Sequence, residues 1–105
     1  MLQVIWHKQA EDAWYRMGAY CREFGQKSLD KFIRNVQEWV LRIARNPAIG
    51  PKEPLLADRP EEYRSVVTHK NCKLVYYVKG DILHIAALWD TRREPRTQAD
   101  NMNNI

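Results

Sequence analysis

The stretch YRSVVTHKNCKLVYYVKGDILHIAALWDTRREP, Tyr63 to Pro95, decides the fold. It holds three runs rich in Val, Ile, Tyr and Trp, "YRSVVT", "CKLVYYV" and "ILHIAALW", with "HKN" and "KGD" between them. β-Branched and aromatic side chains pack well on a pleated surface, and the short polar interruptions have turn composition, so the stretch predicts two consecutive hairpins. Alternation in the middle strand puts Leu74, Tyr76 and Val78 on one side and Lys73, Val75 and Tyr77 on the other. Directly after Trp89 the last run turns to charge, with Asp90, Arg92 and Arg93 at its lip.

Upstream, "NPAIGPKEPLLADRP" holds four of the five prolines and reads as a loop laid over the core through Ile49, Leu55 and Leu56. Before it, Leu29, Phe32, Ile33, Val36, Trp39, Val40 and Ile43 recur at helical spacing, from a cap at Ser28 to a stop at Asn46-Pro47. Ala10, Ala13, Trp14, Met17, Tyr20, Cys21 and Phe24 form the stripe of an earlier helix that ends at Gly25. "GQKS" joins the two as an antiparallel hairpin. "LQVIW" at the start is a first short strand.

The order β-α-α-β-β-β predicts an α+β fold of two layers, a small, mostly antiparallel sheet with the N-terminal helical hairpin packed on one face. The opposite face is expected to be open to solvent or to a ligand. Residues 1–97 are expected to form a single domain. The polar "QADNMNNI", residues 98–105, is expected to be a flexible tail.

A chain of 105 residues with 45% hydrophobic and 29% charged residues is of a size and composition for one globular domain. The excess of 17 Lys and Arg over 13 Asp and Glu gives a net charge of +4, which favours an acidic partner without specifying it. Cys21 and Cys72 have neither CxxC spacing nor paired histidines beside them, so no metal is expected and a reducing cytoplasm is the simplest compartment. No leader or membrane span is read in the sequence, and an exported or membrane-spanning protein is not expected.

The chemistry-bearing residues are mostly basic. No Ser-His-Asp order, glycine-rich phosphate loop or metal-binding His/Glu pair is present. Arg64, Lys73, Arg92 and Arg93 lie on or just beyond adjacent strands and are expected to converge on phosphate or carboxylate, for which the arginine fork is suited. Arg64 and Lys73 have a plainer reading as solvated strand residues, and Asp90 with Arg92 also reads as a structural ion pair or turn former. His69 in a turn and His84 in a strand could act as acid or base, but turn and packing roles are the favoured reading for both. His7 has no evident partner.

With "YR" opening the second strand, "KLVYYV" in the third, "I..LWDTRREP" closing the fourth and the "NPAIGPKEPL" loop, the chain resembles the RelE/ParE superfamily of toxins from bacterial type II toxin-antitoxin modules. The resemblance implies a toxin neutralised by a cognate antitoxin. Its target is DNA gyrase in the ParE-like branch or ribosome-bound mRNA in the RelE-like branch, whose members are metal-independent endoribonucleases. It implies no cofactor, no membrane, and contact with DNA only through the antitoxin. Carried over by position, the candidate catalytic residues are Arg64, Lys73 and Arg92. The candidate target-binding surface adds Asp90 and Arg93, and Tyr15 and Trp39 are candidate antitoxin contacts. The nuclease set is incomplete, because Val66 stands where the RelE-like branch has a second lysine and no tyrosine follows Arg92. His69 or Glu94 could serve as a substitute base. The expectation is therefore a ParE-like toxin, associated with plasmid stabilization and growth inhibition. The alternatives are a RelE-like nuclease, a non-toxic antitoxin-binding module, and a free-standing RNA-binding domain.

Overall fold

The computed structural model describes residues 1–102. Strand β1 (Gln3–Trp6) leads into helices α1 (Lys8–Arg22) and α2 (Gln26–Arg45), and two short 3-10 turns (Pro47–Ile49 and Pro54–Leu56) mark the proline-rich loop. Strands β2 (Arg64–His69), β3 (Cys72–Lys79) and β4 (Ile82–Asp90) follow, and helix α3 (Pro95–Asn101) closes the described chain. The sheet runs β1-β4-β3-β2, antiparallel except where β1 lies parallel to β4 at its edge. The predicted α+β architecture and element order hold.

The helical stripes do what their spacing implies. Phe32, Val36 and Ile43 of α2 and Ala10 and Ala13 of α1 are buried against Leu74, Tyr76, Leu83 and Ile85 of the sheet. Between the helices the chain reverses at Gly25, whose φ of 105° is a conformation that side chains with a Cβ rarely adopt. This reversal begins α2 at Gln26, two residues before the expected cap at Ser28, and Gly25 occupies the cap position.

The second face of the sheet departs from expectation. It was expected to be open, yet Leu56 from the proline-rich loop and Ala99 and Met102 from the C-terminal segment pack on Val75, Ala87 and Trp89 to form a second apolar cluster. Burying a tryptophan and a valine on this face supplies the driving force. The segment read as a polar tail from residue 98 is helical through Asn101, and residues 103–105 lie outside the described residues. Pro95 starts this helix, where its missing N–H costs nothing, and the Glu94 carboxylate caps it by accepting from the Arg96 N–H at 2.9 Å.

A bulge in β4 makes both clusters possible. The register passes from Val75 opposite Ala87 to Tyr76 opposite Ile85, leaving Ala86 as the extra residue. Ile85 and Leu88 thereby face the helices while Ala86, Ala87 and Trp89 face the second cluster.

Candidate functional site

The end of β4 is built around Asp90. Its carboxylate accepts a fork of hydrogen bonds from Arg92, Nε at 3.0 Å and Nη2 at 2.8 Å, and also the Arg92 backbone N–H at 3.0 Å. The expected turn-forming Asp and the expected ion pair are thus one structure. These bonds, led by the Arg92 side chain, outweigh the opposing effect of burial and hold the Asp90 carboxyl below its ordinary range. The Arg92 guanidinium also lies 4.2 Å from the centre of the Tyr20 ring. From the other side, the Gln98 amide accepts from the Asp90 N–H at 2.9 Å and donates to its carbonyl at 3.0 Å, as a neighbouring strand would. Helix α3 therefore fixes the lip of the last strand. Arg93 remains exposed, its side chain in no ion pair among the described residues.

Lys73 lies on the second face, with its ammonium 2.6 Å from the carboxylate of Glu53 and 5.7 Å from the centre of the Trp89 ring. Glu53 is only 2% exposed. It also accepts from Ser65 Oγ at 2.9 Å and from the Leu55 N–H at 3.0 Å, so a buried carboxylate has three donors. Burial pushes its pKa up, but the bonds from Lys73, Leu55 and Ser65 together bring it below the ordinary value.

Arg64 lies on the helical side of the sheet, opposite Tyr76. It donates to the Gly50 carbonyl at 2.7 Å and stands 3.7 Å from Glu62. The three candidate catalytic cations therefore do not converge. Lys73 occupies the face opposite Arg64, and Arg64 is separated from the Asp90 end by the length of β3 from Tyr76 to Cys72, about 13 Å at the usual strand rise. Strand alternation explains this, because nine residues separate Arg64 from Lys73 across a turn and sequence alone does not set the register. Val66 packs into the helical core.

Glu53 was missed by the sequence reading. Its only local signal was an acid between prolines in a loop, and the contacts that distinguish it come from β2 and β3. The histidines also find unforeseen neighbours. His7 Nε2 and His84 Nδ1 are 3.0 Å apart, although the two residues are separated by 77 positions. His84 stacks on Tyr77 with ring centres 4.5 Å apart. His69 packs edge-on to Phe32, and burial, then Lys31 and Lys70, lowers its pKa. Glu94 is engaged as the α3 cap.

On the helices, Tyr15 is 69% exposed, whereas Trp39 is half-buried against the core with the Arg42 guanidinium 5.0 Å from its ring centre. Cys21 and Cys72 are free and buried, and burial raises the Cys72 thiol to about 11. Among the described residues no group of three or more His, Cys, Asp or Glu could hold a metal ion, and no helix is long and apolar enough to cross a membrane.

Solved structures with this architecture include the YoeB dimer from Staphylococcus aureus, with 24% identity and a TM-score of 0.60 over 84% of this chain and 94% of that one. The YoeB/ParE toxin from Agrobacterium tumefaciens has 20% identity and a TM-score of 0.60, over 85% of this chain and 98% of that one. The YoeB-YefM complex from Staphylococcus aureus has 24% identity and a TM-score of 0.57, over 85% and 95%. At these identities the likeness speaks for the fold. No curated protein matches the sequence. Residues 4–95 match the family described as the ParE toxin of the type II toxin-antitoxin system, parDE, which spans β1 to the start of α3 and takes in the charged lip; the chain belongs to this toxin family.

Proposed function

We propose that this toxin arrests growth by poisoning DNA gyrase in the cytoplasm, with the lip formed by Asp90, Arg92 and Arg93 facing the target, and that a cognate antitoxin neutralises it. The dispersion of the cations supports this reading. Lys73 is paired with Glu53, Arg64 is held by the loop on the opposite face, and Arg92 is forked onto Asp90. Electrostatic stabilisation of a reacting phosphate requires donors aimed at one point, and these three are not so aimed. An arginine-bearing lip held by α3 suits recognition of an acidic protein surface. The antitoxin is an acidic chain that contacts the helical hairpin, with Tyr15 and Trp39 in its footprint.

One observation favours a second reading, a ribosome-dependent mRNA endoribonuclease. A buried carboxylate 2.6 Å from an ammonium is an arrangement that can take up and return a proton. A supercoiling assay with purified gyrase, run beside a reconstituted translation reaction with mapped mRNA ends, separates the two. Inhibited supercoiling with intact mRNA is the expected result. Codon-phased cleavage that disappears in Glu53→Gln would replace the gyrase reading with the nuclease one, and unimpaired growth of cells making soluble protein would leave an antitoxin-binding module.

A further inference from the structure

An open pocket of about 640 Å³ lies where the end of α1 and the start of α2 meet the turn between β2 and β3. Arg16, Lys70, Arg92 and Arg93 line it, and Asp90 is the only carboxylate among its lining residues. Asp90 is already matched by Arg92. Among the described residues Arg16, Lys70 and Arg93 form no ion pair and their side chains no hydrogen bond. Three cations without a paired carboxylate thus gather at one concavity, a field that favours an anion there.

The rest of the wall mixes apolar Met17, Phe24, Phe32 and Leu88 with polar Ser28, Asn71 and Gln98. Tyr20 and Phe24 pack edge to face with centres 5.2 Å apart, and they are 39% and 68% exposed. Exposed aromatic rings beside unpaired cations offer stacking and charge recognition together. The volume lies within the roughly 300–1,000 Å³ of small-molecule sites. Three unpaired cations exceed the charge of one carboxylate, whereas a phosphate monoester carries about −1.5 to −2 near neutral pH.

We propose that this pocket binds a nucleoside phosphate, with the phosphate among Arg16, Lys70 and Arg93 and the base against Phe24, the more exposed ring, beside the Tyr20 ring on which Arg92 lies. The site lies apart from the Glu53–Lys73 pair but shares Asp90, Arg92 and Arg93 with the lip proposed to face the target, so a ligand there would compete with the target for that lip. The ligand's source is either a free nucleotide or the phosphorylated end of a nucleic acid strand.

The test is calorimetric titration of the full chain with AMP, adenosine, inorganic phosphate and a short oligonucleotide with and without a 5′-phosphate, with the His69 ring signals followed by NMR. AMP is expected to bind and shift His69, with adenosine and phosphate each at least about tenfold weaker. Arg16→Ala and Lys70→Ala should each weaken AMP binding about tenfold with an unchanged circular dichroism spectrum, while Arg45→Ala, remote from the pocket, should not. Tighter binding of the phosphorylated oligonucleotide than of AMP would assign the site to strand ends, and equal or weaker binding to free nucleotides. The proposal is overturned by absence of heat and shift at millimolar AMP, by phosphate binding as tightly as AMP, or by AMP affinity unaltered in both Arg16→Ala and Lys70→Ala.

Discussion

Glu53 pairs a charged side chain with a nearly dry position, and its three donors are the reason it tolerates it. Because its folded pKa lies below the ordinary 4.5, the carboxylate contributes stability that is present above that value and lost as pH falls through the folded pKa. Glu53→Gln should lower stability at neutral pH by about 2 kcal/mol, and urea unfolding should show a smaller loss between about pH 5 and about pH 3 than in the wild type. His7 follows the same sign at higher pH. Burial first, and the charge of His84 second, hold it below 6.5, so its contribution is full above that value and lost as pH falls through its folded pKa. A thermal-midpoint series from about pH 7 to about pH 5 should therefore be flatter in His7→Gln than in the wild type. Neither environment was legible in the sequence. The Ser65–Glu53 bond spans 12 positions and the His7–His84 contact 77, and neither leaves a local pattern.

The elements themselves were more legible, because the signals that define them are local. Helical stripes, alternating strands and proline-marked loops each fall within a few residues, and the structure has the expected order of β1, α1, α2, β2, β3 and β4. The short helix α3 escaped because its sequence has little apolar periodicity. Its stability comes from packing Ala99 under Trp89 and Leu56, and from Gln98 bonded to the Asp90 backbone. Ala99 is completely buried, so Ala99→Glu should cost about 3 kcal/mol by placing an unpaired charge there. The measurement is chemical unfolding, with a red shift of tryptophan emission in the folded variant as its local sign. An unchanged midpoint would mean that α3 does not hold the lip.

At the scale of the whole molecule, the sequence carried the family and the layers, but not which cations share a face. Face assignment depends on strand register and on the extra residue at Ala86, and both are set by the packing of two clusters at once. The candidate site was therefore legible as a set of residues and not as an arrangement. The parallel pairing of β1 with β4 joins residues 3–6 to residues 82–85, close to the two ends of the described chain. Such non-local pairing makes folding slow relative to helix formation. A chain ending at Gly80 lacks β4 and should be degraded rapidly in limited proteolysis, while the full chain resists. During synthesis the helical hairpin emerges early but has no sheet to pack on until β4 has been made. The charged lip is consequently one of the last features to take shape, since Asp90 stands at the end of the strand whose arrival closes the sheet.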